Sequence, residues 1–320
     1  MRMAIIGAGS IAGKMADTIN ALEGVEAYAI ASRDYERAVE FAGKNGFEKA
    51  YGSYEEMLCD EKVELVYIAT PHSHHYQHAK LSLEHNKHVL CEKAFTVNAS
   101  QAQELVALAE EKKLLLAEAI WTRYMPSRNM ISDIIERGEI GTPYSLIANL
   151  GYKIVGKERI IRPELAGGAL LDLGVYLMHF AGMFFGTQVE RIVASAAMTE
   201  TGVDAQDSIT LHYEGGRTAF LQSSTFTNLD RSGMIYGTKG YLKVQNVNNP
   251  EKITVYNEIH QEMAAYYPPE QLTGFEYQVL ACKDAIEKGK TECDAIPHQE
   301  IVRIMSQMDE VRRQIGYEIP

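Results

Sequence analysis

The chain has 320 residues, of which 46% are hydrophobic and 23% charged, a composition typical of a globular protein long enough for two domains. Its formal net charge of −12, with no run of lysine and arginine, argues against a nucleic-acid-binding surface. No apolar run approaches the roughly 18 residues of a membrane span, and the four cysteines show no C-x-x-C spacing, so we expect a cytoplasmic protein without membrane contact, disulfides or a zinc site.

The chain begins with a short apolar strand, residues 3–6, that runs into a glycine-rich loop. Gly7, Gly9 and Ala12 form the pattern G-x-G-x-x-A, and a helical pattern follows. In dinucleotide-binding domains the first glycine permits a tight turn, the second lets the pyrophosphate approach, and the helix N-terminus faces the phosphates. An ordinary glycine turn is the alternative. We predict a dinucleotide site that includes Gly7, Gly9, Ser10, Ile11 and Ala12.

The end of the second predicted strand, residues 26–31, bears on which dinucleotide is bound. NAD enzymes usually carry an acidic residue there, about 20 residues after the fingerprint, to hold the ribose 2′-OH. Here the position is Ser32, and Arg33 follows it. A hydroxyl does not repel a 2′-phosphate, and a guanidinium can bind it through two hydrogen bonds. We predict NADP rather than NAD; the alternative is that Arg33 is a solvated charge and Asp34 holds the ribose.

Strands and helices continue to alternate up to about residue 120. Continuous apolar strands between helices are typical of a parallel sheet covered on both faces. The pattern predicts an α/β fold whose first domain, residues 1–120, is a Rossmann doubly wound parallel sheet. The predicted helices are 35–45, 53–60, 75–84 and 99–112, and the predicted strands are 65–69, 88–92 and 114–118.

After Trp121 alternating strands dominate, which predicts an α+β domain over residues 121–320 with a large, mostly antiparallel open sheet. Too few helices follow Gly186 to cover such a sheet, so we expect a homodimer that buries sheet against sheet. The predicted strands are 144–150, 191–198, 208–213, 218–227, 232–237, 241–244 and 253–256, and the predicted helices are 127–137, 168–185, 274–288 and 299–315.

Three strands of the first domain end in polar segments, and ligands of parallel sheets bind beyond such carboxyl ends. Lys93 follows one of them. A lysine there, near a cationic nicotinamide, should lose proton affinity and become useful as a general acid or base. The alternative is a lysine paired with Glu92.

Four histidines, at positions 72, 74, 75 and 78, resemble a metal cluster because His74 and His78 have the i, i+4 spacing of a zinc pair. No third ligand is apparent, so we predict no metal. The alternative is solvated loop histidines with one turned toward the nicotinamide.

The second domain contains one candidate helix with two polar residues at i, i+4, Asp172 and Tyr176. A phenol beside a lysine is a good proton relay to a substrate hydroxyl. The alternative is that Tyr176 is a core aromatic with its hydroxyl satisfied.

Together these segments resemble the Gfo/Idh/MocA family of NAD(P)-dependent oxidoreductases over essentially the whole chain. Within it the resemblance is strongest to the branch of dimeric dihydrodiol dehydrogenases, also called NADP-dependent D-xylose 1-dehydrogenases. The most specific segments are W-T-R at 121–123 and G-G-A-L-L-D-L-G-V-Y at 167–176; the others are 32–34, 50–56, 90–93, 118–126, 201–204 and 237–240.

The resemblance implies roles for single residues. Lys93 contacts the substrate hydroxyl and the nicotinamide ribose, Tyr176 is the catalytic tyrosine, and Asp172 is its supporting acid. Ala94 replaces the family's proline, which puts substrate preference in question. The implied cofactor contacts at this rim are Thr70, Pro71, His72, His75, Glu92, Lys93, Trp121 and Arg123.

The predicted function is therefore an NADP-dependent oxidoreductase acting on a secondary alcohol of a sugar or a cyclic vicinal diol. One alternative is a family dehydrogenase for another polyol, such as an inositol or a sugar-phosphate. A second is a catalytically silent dinucleotide-sensing regulator, although such a protein would not need Lys93 and Tyr176.

Overall fold

The computed structural model describes residues 1–320, and it divides into two compact units. The first unit comprises Met1–Tyr124 and Gln271–Met305, and the second comprises Met125–Glu270 and Ser306–Pro320. The predicted division at residue 120 therefore needs a correction. Phe275, Val279 and Cys282 are buried in the same apolar core as the first strand and first helix of the chain, which ties this late segment to the first unit.

The first unit is built on a six-stranded sheet in the order β3-β2-β1-β4-β5-β6, in which every pairing is parallel. This is the predicted doubly wound topology. Only the three-residue strand β3 was not predicted. The elements are β1 (Arg2–Ile6), α1 (Ser10–Asn20), β2 (Glu26–Ala31), α2 (Tyr35–Asn45), β3 (Lys49–Tyr51), α3 (Tyr54–Leu58), β4 (Leu65–Ile68), α4 (His75–Glu84), β5 (His88–Glu92), α5 (Ala99–Lys112) and β6 (Leu116–Ala119).

The second unit is built on an eight-stranded sheet. It contains α6 (Pro126–Glu136), β7 (Pro143–Gly151), α7 (Glu158–Ile161), α8 (Val175–Phe185), β8 (Val189–Met198), β9 (Asp204–Tyr213), β10 (Thr218–Ser224), β11 (Gly233–Gly237), β12 (Gly240–Gln245), β13 (Lys252–Asn257) and β14 (Glu262–Tyr266). The strand order is β14-β13-β12-β11-β7-β10-β9-β8, and all pairings are antiparallel except that of β7 with β10. The predicted mostly antiparallel sheet is confirmed, with β14 as an additional edge strand.

Two further helices complete the chain, α9 (Glu276–Glu287) and α10 (His298–Ile315). Helix α9 belongs to the first unit, and α10 begins in the first unit and ends in the second.

One face of the second sheet is covered by α8, which packs on β7 and β10. Along β7, Leu146, Ala148 and Leu150 are buried, whereas Ile147 between them is exposed. This alternation is typical of a sheet with one covered and one open face. The predicted helix 168–185 is instead a π-helical turn, Leu170–Gly174, followed by α8.

The segment Pro163–Phe185 has the length and composition of a candidate membrane span, with a mean hydropathy of 1.4. However, 83% of its apolar window is buried inside the protein. Its side chains therefore serve as the core of the second unit, as those of any buried helix do.

Candidate cofactor and catalytic site

The glycine-rich loop forms an open anion-binding site at the start of α1. Gly7 has a φ of +100°, and a Cβ there would lie 2.9 Å from the Ala69 carbonyl oxygen, so only glycine fits. Gly9 is the N-cap; no side chain caps the helix, and its first turn holds no acidic residue. The N–H groups that begin α1 are therefore available to a phosphate. A dinucleotide fits these residues, with Ser10 and Ile11 at the open end and Ala12 buried beneath.

Two arginines lie near this loop, Arg33 just after β2 and Arg37 in the first turn of α2. Ser32 is buried and Arg33 exposed. Asp34 caps α2, because its Oδ1 accepts a hydrogen bond from the Arg37 backbone N–H at 3.2 Å. The Arg37 guanidinium donates to the Ala8 carbonyl oxygen at 2.8 Å, which places a second positive charge against the glycine-rich loop.

His75 links the polar segments that follow β4 and β5. The side chain is buried; Nδ1 lies 2.7 Å from the Ala94 carbonyl oxygen and Nε2 lies 2.8 Å from that of Thr70. Burial lowers the pKa of His75. His72 is also nearly buried and packs edge-on against the His75 ring. These contacts fix the Thr70–Pro71 turn relative to the residue that follows Lys93.

Lys93 lies at the end of β5, half-buried, beside a buried acid. Glu92 accepts a hydrogen bond from the Tyr67 hydroxyl, and burial raises the pKa of Glu92 to about 7 while the Lys93 charge opposes that rise. The Lys93–Ala94 peptide bond is cis. Lys93 therefore has the position predicted for it, at the same edge of the sheet as the glycine-rich loop.

The turn after β6 carries Trp121 and Arg123. The Trp121 ring stacks on Phe275 with centroids 4.6 Å apart, and its Nε1 is buried without a hydrogen-bond partner, as is the Thr122 Oγ1. Arg123 is nearly buried and forms an ion pair with Glu300 at the start of α10. Within the first unit this ion pair connects the turn after β6 to the first turns of α10.

No set of three or more histidine, cysteine, aspartate or glutamate side chains is arranged to hold a metal ion. His74 and His78 instead stack on each other with centroids 5.7 Å apart, and Tyr54 packs edge-on against His78.

The second unit carries the other two predicted catalytic residues. Asp172 is nearly buried within the π-helical turn, and Arg159 donates to both of its oxygens, at 2.9 and 3.3 Å. Tyr176 follows in the first turn of α8. It is half-buried, and it is the only residue between positions 166 and 182 that is not buried. A tyrosine that alone reaches the surface of a buried helix is well suited to contact a ligand.

The amino-acid sequence matches two family models. Residues 1–119 match an oxidoreductase family with an NAD-binding Rossmann fold, Gfo/Idh/MocA, and residues 129–243 match the Gfo/Idh/MocA C-terminal domain. The trans-1,2-dihydrobenzene-1,2-diol dehydrogenases of Mus musculus and Homo sapiens are 35% and 34% identical to it, over 100% of this chain and 98% of each relative. The chain belongs to the Gfo/Idh/MocA family of oxidoreductases. It is thus an NAD(P)-binding enzyme, as predicted.

Solved structures share the fold of this chain. A 3-ketoreductase from Actinomadura kijaniata, in complex with NADP and TDP-benzene, is 26% identical with a TM-score of 0.89 over 98% of both chains. Levoglucosan dehydrogenase, at 17% identity and a TM-score of 0.88, covers 99% of this chain and shares the fold.

Not all the predicted site residues of this Gfo/Idh/MocA chain lie in one unit. Asp172 and Tyr176 belong to the second unit and the remaining residues of the predicted site to the first. Three neighbours were missed by sequence reasoning: Arg37, Arg159 and Asp204. Arg37 lies four residues after Arg33, in the first turn of α2, a signal that could have been used, whereas the partners of Arg159 and Asp204 are set by tertiary structure.

Proposed function

We propose that this chain is an NADP-dependent dehydrogenase that oxidises a secondary alcohol of a sugar or of a cyclic vicinal diol. Relatives named trans-1,2-dihydrobenzene-1,2-diol dehydrogenase match the entire chain, and a ketoreductase of similar fold was solved with NADP and TDP-benzene, which supports both parts of the proposal. The observation that carries it is Tyr176: a half-exposed phenol in a buried segment, one turn after an ion-paired acid.

The chemistry assigns each group one task. A bound nicotinamide supplies the hydride acceptor. Tyr176 takes up the hydroxyl proton as the carbinol carbon becomes a carbonyl, and Lys93 is the second group assigned to that proton. Asp172, fixed by Arg159, orients the turn that leads into Tyr176.

The preference for NADP is proposed on charge. A 2′-phosphate carries negative charge that an acidic residue at the end of β2 would repel, and this chain has Ser32 there instead. The Asp34 carboxylate caps α2, while Arg33 is exposed and Arg37 lies across the glycine-rich loop. Two guanidinium groups near one phosphate favour NADP over NAD.

We also propose a homodimer formed through the open face of the second sheet. Val193, Phe220 and Ile147 lie in one mostly apolar row across β8, β9, β10 and β7, in which Thr210 is the β9 member, and each of the three is 43–46% exposed. Met234 extends the row on β11. An apolar row of this length on an uncovered sheet face is typical of a protein–protein interface.

All four cysteines are free thiols, which supports a reducing, cytoplasmic location.

A substrate panel followed by absorbance of reduced nicotinamide tests the proposal. The panel contains D-xylose, trans-1,2-dihydrobenzene-1,2-diol, an inositol and a sugar-phosphate, each with NADP and with NAD. We expect turnover with NADP and one of the first two, and its loss in Lys93→Met. Turnover only with the inositol or the sugar-phosphate would favour the related polyol enzyme. Cofactor binding without turnover of any alcohol would favour a silent dinucleotide sensor.

A further inference from the structure

The most unusual polar group of the second unit is a pair of aspartates outside the predicted site. Asp204 and Asp207 are both fully buried on β9. Residues three apart on a regular strand point to opposite faces, but the pairing of β9 with β8 shifts register here, so that Ala205 has no partner. This bulge turns Asp204 toward the same side as Asp207.

The two carboxyl groups form one unit. They are near enough for each to shift the pKa of the other, and each keeps one buried oxygen, Oδ1, for which no N–H or hydroxyl donor is present. A single shared proton satisfies both oxygens, because a protonated carboxyl donates to an anionic one. Burial raises the pKa of both groups, and for Asp207 the neighbouring Asp204 charge raises it further.

The remaining oxygens of this pair hold the turn that carries Asp172. Asp204 Oδ2 accepts a hydrogen bond from the Leu170 N–H at 2.5 Å, at the start of the π-helical turn. Gly168, two residues earlier, has a φ of +113°, and a Cβ there would overlap the Asp204 carboxylate. The acid and the turn are therefore in direct contact.

The second aspartate is bonded to Ser223 on β10, the strand that packs against the same turn. Asp207 Oδ2 accepts from the Ser223 Oγ at 2.6 Å, and a Cβ at Gly174 would lie 3.5 Å from that Oγ. The Tyr317 hydroxyl donates to the Gly167 carbonyl oxygen at 3.1 Å and secures the segment that precedes the turn. The carboxyl pair thus holds the start of Leu170–Gly174 directly through Asp204, and through Ser223 it is bonded to the strand that packs against this turn.

From this arrangement we infer that Asp204 is a positioning residue: paired with Asp207, it holds the π-helical turn so that Asp172 and Tyr176 present their side chains in the geometry that proton transfer requires. The inference rests on the proposed function for the role of Tyr176. Asp204 does not touch substrate; it acts through the backbone of Leu170 and the turn that follows.

Two substitutions at Asp204 separate positioning from simple packing. Asp204→Asn keeps an acceptor for the Leu170 N–H and supplies a donor to Asp207, whereas Asp204→Ala removes both. The kcat of each variant is counted per NADP-binding site. We expect Asp204→Ala to lose about tenfold or more in kcat, with its KM changed less than about threefold. We expect the kcat of Asp204→Asn to stay within about threefold of the parent value. A purely structural role would lower the melting temperature of Asp204→Ala and leave kcat per binding site unchanged, which would overturn the inference.

The double variant Asp204→Leu with Asp207→Leu covers the case in which Asp204→Ala does not fold. It replaces the buried pair by apolar side chains of similar size, a change that folded proteins often tolerate. We expect it to bind NADP like the parent and to lose kcat about as much as Asp204→Ala. Parent-like kcat in this variant would contradict the inference.

Amide hydrogen exchange of residues 168–176 gives a readout independent of turnover. We expect faster exchange there in Asp204→Ala and in the double variant, and parent-like exchange in Asp204→Asn. If the parent oxidises no alcohol of the panel, the proposed function fails while the exchange result still tests the inference. Unchanged exchange in the variants that lack the acceptor would refute it.

Discussion

Arg159 holds the Asp172 carboxylate with two guanidinium nitrogens, Nη1 at 2.9 Å from Oδ1 and Nη2 at 3.3 Å from Oδ2. Asp172 is nearly buried, whereas the Arg159 side chain is 46% exposed. A bidentate pair fixes the plane of a carboxylate as well as its position. The orientation of the acid in the π-helical turn is therefore set from α7.

Arg159→Met should lower kcat about tenfold and leave the Kd for NADP unchanged. The substitution removes a charge-assisted contact that is weakened by its exposure, and tenfold corresponds to about 1.4 kcal/mol. The matched control is Arg162→Met, since Arg162 is equally exposed and pairs only with Glu158 and Glu164. Steady-state kinetics and cofactor titration check both variants; equal kcat values for them would remove Arg159 from the account.

Arg33→Ala should erase most of the preference for NADP over NAD. A hydrogen bond to a charged group is worth about 1.5–3 kcal/mol, which corresponds to tens-fold or more in affinity. Fluorescence titration with both cofactors measures the ratio of dissociation constants. The control Arg313→Ala removes an exposed arginine of the second unit that pairs with Glu310. Equal affinities of the unaltered protein for NADP and NAD would contradict the predicted preference for NADP.

The strands, helix and loop that carry the proposed cofactor residues were predictable because their signals are local. The fingerprint glycines lie within a few residues of the backbone they control, and so does Ser32, which replaces the usual acid. The buried strands β4, β5 and β6 place Lys93 at the carboxyl edge of the sheet. The fold followed from the same periodicities, apart from the short edge strands β3 and β14, which bury too little to leave an apolar pattern.

The support of the second-unit residues was not predictable, because it depends on pairings distant in sequence. Asp204 reaches Leu170 only through a bulge in β9. The π-helical turn at Leu170–Gly174 has no propensity signal that distinguishes it from an α-helix. The assignment of Gln271–Met305 to the first unit likewise depends on which core buries Phe275.

The unaltered protein should be a dimer at micromolar concentration, and Phe220→Glu should make it a monomer. The substitution places a charge in the centre of the apolar row on the open sheet face, where a partner would bury it. Light scattering gives the mass of each. Leu280→Glu, which charges an exposed position of α9 in the first unit, is the control and should stay dimeric. A monomeric parent would refute the proposed interface.

The stability of the protein should fall as the pH rises from about 4.5 to about 7, and Glu118→Gln should reduce that fall. Burial raises the pKa of Glu118 from 4.5 to about 7, although the Arg123 charge opposes the rise. Burial also raises the pKa of Glu92 to about 7, against the opposing charge of Lys93. Between these values the folded state holds protons that the unfolded chain has released, so raising the pH favours unfolding.

Urea unfolding at about pH 5 and about pH 8 measures the change in the free energy of unfolding. One unit of pKa corresponds to about 1.4 kcal/mol, so the expected change is on the order of 2–3 kcal/mol for each fully buried carboxyl. Glu287→Gln, an exposed change on α9, is the control and should keep the parent's pH dependence. A Glu118→Gln protein with the parent's full dependence would show that this carboxyl is not responsible.

The most direct test of the central claim is single-turnover hydride transfer with the best substrate of the panel, measured for Lys93→Met, Tyr176→Phe and the double variant. If both residues serve one proton transfer, their losses do not add, because removing either breaks the same relay. We predict that each single variant loses roughly 10²-fold in rate, the double variant is little worse than the poorer single, and Tyr176→Phe binds NADP like the parent. A Tyr176→Phe enzyme that transfers hydride at the parent rate would contradict the account.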